Sequence, residues 1–173
     1  MIRNILFASA LLATPAAAEV KSVTDAGFEV SRTETIAADP AAVYAALRVP
    51  AKWWNAEHTW SGDAENLWID AQAGGCFCEK MPDKGSIQHA RIVAAQPGKQ
   101  LRLTGALGPL QAEAVTGTFT WDLKPVDGGT EITQSYVVGG YVRTGAAALA
   151  PLVDQVLGQQ LTRLQALLET PAE

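Results

Sequence analysis

The sequence predicts an α+β domain in which an antiparallel sheet of about six to seven strands is covered on one face by a long C-terminal helix. Two observations carry that expectation. Between residues 67 and 138, apolar and polar residues alternate in short runs divided by Gly, Pro and Asp turns, as in strands with one covered face. After Leu149 the period changes, and Leu149, Leu152, Val153, Val156, Leu157, Leu161, Leu164 and Leu168 recur at helical spacing. Asp154, Gln155, Gln159, Thr162 and Arg163 lie mainly between them. A helix of about 20 residues spans roughly 30 Å, enough to cross such a sheet.

Residues 1–18, MIRNILFASALLATPAAA, hold one charge at Arg3, an apolar stretch from Ile5 to Ala13, and an A-x-A ending at Ala16 and Ala18. That is the layout of a secretory signal peptide cleaved after Ala18, and it predicts a periplasmic protein. A loose lead-in is expected over 19–27, then a single domain over 28–173. The 173 residues suit one domain, with 48% hydrophobic and 18% charged side chains. The formal charge is −5. Loss of Arg3 leaves 12 basic against 18 acidic side chains, or −6. An electrostatic grip on nucleic acid is therefore not expected. No apolar run reaches the roughly 20 residues that span a bilayer.

Within the domain, Phe28 to Ile36 reads as a strand with Phe28, Val30 and Ile36 on one face. Asp39-Pro40 starts a helix, the Asp oxygen capping free N–H groups and Pro40 fitting the first turn. Val43, Tyr44 and Leu47 share its apolar face, and a second short helix is expected through Trp53 and Trp54. Residues 55–66 read as a loop. Strands follow over 67–71, 76–81, 86–95 and 100–107, with a bulge or turn at Gly74-Gly75. The clearest hairpin turns at Asp127-Gly128 and pairs Leu123 with Ile132, Trp121 with Gln134, and Phe119 with Tyr136. In the last helix Pro151 is expected in the first turn. Gly158 costs about 1 kcal/mol against alanine there and marks either a close approach, a space beside the helix, or simple tolerance.

With the stretches TIAADPAAVYAAL, WW, AGGCFCE and VDQVLGQQLTRLQALLE in this order, residues 28–169 resemble the START/Bet v 1-like (SRPBCC) helix-grip superfamily. The branch of polyketide cyclases and chaperone-ATPase activators is the most similar. The resemblance implies a curved sheet wrapped around the last helix, an apolar cavity between them, and a lipid, sterol, polyketide or other hydrophobic ligand. A signal peptide does not suit the cytosolic chaperone-activating role.

Register names the groups that would face such a cavity. A hairpin closed over Gln96–Lys99 pairs Ile92 with Leu103 and Ala94 with Leu101, so Gln88, Ala90, Ile92 and Ala94 point inward. Phe77 then lies opposite Ala90, and Glu79 opposite Gln88. The expected inner face holds Phe77, Leu103, Phe119, Trp121 and Tyr136, with Glu79, Gln88 and Gln134 as polar groups that orient a ligand. At least one of Trp53 and Trp54 is a candidate for the cavity mouth; adjacent helical residues diverge by about 100°, so both cannot face in fully.

Two alternatives come from the remaining reactive side chains. Cys76 and Cys78 share one strand face, and the same register puts His89 opposite Cys78. With His58 they form a candidate zinc or copper site on the outer face. Oxidation would instead close a Cys76–Cys78 disulfide, and free structural thiols are a third state. Glu79 or His58 could also act as a general base in a cyclase- or hydrolase-like enzyme, although no nucleophile motif, phosphate loop or carboxylate pair supports catalysis. The main expectation is an exported binding protein for a small hydrophobic molecule, with no cofactor and no assigned catalytic residue.

Overall fold

The computed structural model describes residues 20–170, so the expected signal peptide over 1–18 lies outside the described residues. Eight strands form one antiparallel sheet: β1 (Val20–Thr24), β2 (Gly27–Ile36), β3 (Leu67–Ile69), β4 (Cys76–Lys80), β5 (Ser86–Gln96), β6 (Gln100–Gly105), β7 (Ala114–Val126) and β8 (Gly129–Tyr141). Their order is β1-β2-β8-β7-β6-β5-β4-β3. Helix α1 (Pro40–Leu47) follows β2, and α2 (Ala146–Glu169) lies on the covered face. This is the helix-grip α+β arrangement.

Local chemistry accounts for most of these elements. Asp39 caps α1, accepting from the backbone N–H of Ala41 at 2.9 Å and Ala42 at 3.0 Å. Val43, Tyr44 and Leu47 are buried beneath that helix. The hairpin of β7 and β8 has the expected register, Leu123 with Ile132, Trp121 with Gln134, and Phe119 with Tyr136, closed by a two-residue turn. The second short helix is a single 3-10 turn at Pro50–Lys52, ending immediately before the two tryptophans. The lead-in is more ordered than expected: Val20–Thr24 pairs with β2 and adds an eighth strand.

Two bulges in β5 correct the expected facing of that strand. Phe77 pairs with Ala90 as expected, but the next pair is Cys78 with Gln88, which leaves His89 as an extra residue. Ile92 pairs with Leu103, but the following pair is Ala94 with Arg102, which leaves Val93 as an extra residue. One inserted residue reverses the inward set beyond it. Ala90 and Ile92, between the bulges, therefore point inward as expected. Outside them the parity flips: Gln88 is exposed, His89 is buried, and Ala95 rather than Ala94 pairs with the buried Leu101.

Helix α2 packs most closely on β1 and β2. Gly158 marks a close approach there, because a Cβ would overlap the guanidinium of Arg32. That guanidinium reaches Asp154 on α2 at 3.6 Å. Nearby, Gln134 ties the sheet to the helix: Trp121 Nε1 donates to its Oε1 at 2.9 Å, and its Nε2 donates to the Leu157 carbonyl at 2.9 Å.

Candidate functional site

The inner face does not leave one cavity along its whole length. Trp53, Trp121, Phe119, Tyr136 and Leu103 pack into a core with at most 1% of each exposed. Trp53 stacks edge-on against Trp121, with centroids 6.2 Å apart, and donates its indole N–H to the Ala46 carbonyl. Phe119 meets both Trp121 and Tyr136 edge-on. These five side chains and Gln134, expected to contact a ligand, are placed instead as packing and hydrogen-bonding core.

One pocket lies at one end of the sheet, beneath the N-terminal half of α2; a larger, more polar one opens beside that helix, lined by Arg32, Asp154 and Gly158. The first, of about 360 Å³, is enclosed by Trp54, Phe77 and His89 from below, and by residues 57–60 and 107–110 at the sides. Leu149, Leu152, Val153, Val156 and Leu157 of α2 form its roof. Of the expected ligand residues the structure brings Trp54 and Phe77 here, their rings edge-on with centroids 5.2 Å apart. Trp54 is held by donation from Nε1 to the His58 carbonyl at 3.0 Å. Trp60 and Leu110 lie outside the expected site residues, since loop residues carry no period; Leu107, expected as the end of the strand over 100–107, lies instead just beyond β6. The roof had a signal, because the apolar stripe of α2 is wider at its N-terminal half than a core alone requires; Leu152 is 57% exposed.

Polar side chains of the inner face build the pocket walls. The Glu79 carboxylate, fully buried, accepts backbone N–H groups from Trp60 and Ser61 and so fixes one wall. Its Oε2 also lies 2.9 Å from His89 Nε2. Burial pushes the Glu79 carboxyl up, but the hydrogen bonds from Ser61, Trp60 and His89 outweigh it and hold it below the usual value. Burial lowers the His89 imidazole, and its bond and charge attraction to Glu79 only partly oppose this. The pair is therefore a carboxylate accepting from a neutral imidazole. Tyr136 fixes the opposite wall: its hydroxyl donates to the Gly105 carbonyl at 2.9 Å and accepts from Leu107 N–H at 3.1 Å. Burial raises that phenol to about 12, slightly offset by the Leu107 N–H.

The candidate metal set is not assembled. Cys76 and Cys78 are joined as a disulfide with Cα atoms 5.5 Å apart, at the place where the first bulge shifts the register. His89 lies on the opposite face, bonded to Glu79, and His58 Nε2 lies 3.0 Å from Gln159 Oε1. Among the described residues no three His, Cys, Asp or Glu side chains group as metal ligands.

An antiparallel sheet gripping a C-terminal helix, with an apolar pocket at one end, defines a START/Bet v 1-like (SRPBCC) protein. Residues 27–169 match the family described as polyketide cyclase / dehydrase and lipid transport, and the chain belongs to that family. Among curated proteins none matches. Similar solved structures include a protein from Mesorhizobium loti, with 19% identity and a TM-score of 0.62 over 84% of this chain and 99% of that one. Another is a protein from Chromobacterium violaceum, with 20% identity and a TM-score of 0.58 over 83% and 98%. The di-domain ARO/CYC StfQ from the steffimycin biosynthetic pathway aligns with a TM-score of 0.55 at 14% identity, over 82% of this chain and 50% of that one. At these identities the likenesses show the fold.

Proposed function

We propose that this protein is an exported carrier for a small hydrophobic molecule, held beneath the N-terminal half of α2. The observation that carries the reading is the pocket of about 360 Å³, whose floor and roof are aromatic and aliphatic. Apolar burial supplies most of the affinity in such a site, and a few polar groups orient the ligand. Membership of a family that includes lipid transport supports the same reading. Export is supported by the A-x-A ending at Ala18 and by the disulfide, a bond that persists in oxidising compartments.

Native mass spectrometry of protein taken from the periplasm tests both parts. The expected chain begins at Glu19 and carries an organic mass that is lost on denaturation. Titration with N-phenyl-1-naphthylamine should give a fluorescence rise in wild type and at least a tenfold weaker response in Val153→Trp, which fills the pocket from its roof. An equal response in both proteins would place binding elsewhere, and an unprocessed cytoplasmic chain would overturn export.

A further inference from the structure

The pocket has a polar point that the alternating pattern hides. His89 is the extra residue of the first bulge, so its ring turns inward beside Phe77, with centroids 4.9 Å apart, and becomes part of the pocket lining. Its two nitrogens have different surroundings. Nε2 faces Glu79, a carboxylate whose other partners, the N–H groups of Trp60 and Ser61, are also donors. Nε2 therefore carries the proton, and the neutral ring presents a lone pair at Nδ1. Nδ1 has no hydrogen-bond partner among the described residues, nor is it one of the side-chain atoms sealed in the interior without one, which are Arg32 Nε, Tyr44 Oη and Gln160 Nε2. His89 lines the pocket, and Nδ1 is the ring nitrogen that Glu79 does not engage. The polar side chains near the mouth are already engaged: His58 with Gln159, Thr59 with the Ala56 carbonyl, and Glu57 with Asn55.

We infer that His89 Nδ1 is a built hydrogen-bond acceptor that selects ligands carrying a hydroxyl group on an apolar body. Glu79 acts as a positioning residue, fixing the tautomer and the ring plane of His89. A donor hydroxyl satisfies Nδ1, whereas a hydrocarbon of the same shape leaves it unpaired. This inference rests on the carrier reading, and it adds the chemical class of the ligand.

The test compares 1-naphthol with 1-methylnaphthalene, which replaces the hydroxyl by a methyl of similar size, by titrating tryptophan fluorescence near neutral pH. Wild type should bind 1-naphthol about tenfold more tightly. His89→Phe keeps the ring contact with Phe77 and should remove the preference while retaining 1-methylnaphthalene. If that variant does not fold, imidazole nitrogen NMR of the wild type decides: 1-naphthol should shift Nδ1 of His89 and leave Nε2 bonded to Glu79. Equal affinities in wild type, a preference that survives His89→Phe, or an unmoved Nδ1 signal would overturn the inference and leave the carrier reading standing. Failure of both compounds and of N-phenyl-1-naphthylamine to bind would overturn both.

Discussion

Glu79 on β4 and His89 on β5 meet inside the covered face, Oε2 to Nε2 at 2.9 Å, although neither is the other's register partner: Glu79 pairs with Ile87, and His89 is the extra residue of the bulge. The bulge makes the meeting possible. Without it, His89 would follow the outward face beside the cysteines, and Glu79 would be a buried carboxylate short of a third donor.

This pair makes stability depend on acid. His89 sits below its ordinary 6.5 and Glu79 below its ordinary 4.5 in the folded protein. As pH falls below 6.5, the unfolded chain takes up the histidine proton first, so stability is lost from there down to the folded pKa of His89. The Glu79 contribution is complete above 4.5 and is lost as pH falls through its lower folded value. Urea denaturation of His58→Gln, in which His89 is the remaining histidine, should show both losses. A flat profile between about pH 7 and about pH 5 contradicts the histidine part.

Gln134 is predicted to matter for folding and not for ligand. Gln134→Leu strands the fully buried indole N–H of Trp121 and should cost about 2 kcal/mol in urea denaturation. Affinity for 1-naphthol should stay within twofold of wild type, because Gln134 does not line the pocket. A large loss of affinity at unchanged stability would return Gln134 to the binding site.

Gly158→Ala sets two effects against each other. Alanine gains about 1 kcal/mol of helix propensity. Its methyl also displaces the Arg32 guanidinium, the charged partner of the buried Asp154. Leaving a buried carboxylate without its cation costs more than the propensity returns, so a net loss of about 1–2 kcal/mol is expected. A rise in Tm would show that the guanidinium swings aside and keeps its hold on Asp154.

The disulfide should be a modest local brace. Cys76 and Cys78 close a very short loop, and the chain-entropy relation gives about 1.5 kcal/mol for it. Cys76→Ser/Cys78→Ser should therefore lower stability by about that amount. Affinity for 1-naphthol should be unchanged, because the cysteines face away from the pocket. Matched urea curves and titrations check both halves.

The sequence by itself determined most of the element types and the hairpin pairings of β4 with β5, β5 with β6 and β7 with β8. It did not determine those of β1 with β2, β2 with β8, β3 with β4 or β6 with β7. Period-2 alternation, the Asp127-Gly128 turn, the Asp39 cap and the helical run after Leu149 are local signals, each read within a few residues, and the register of β7 and β8 followed from them. The family resemblance, carried by the same stretches, added the grip of sheet on helix. Tertiary structure alone decided the site. A bulge is set by how two strands compete for hydrogen-bond partners, so no alternation announces that His89 is the residue set aside. Side-chain volume decided that Trp53, Phe119, Trp121 and Tyr136 would fill one end of the inner face, leaving the pocket at the other beneath the apolar stripe of α2.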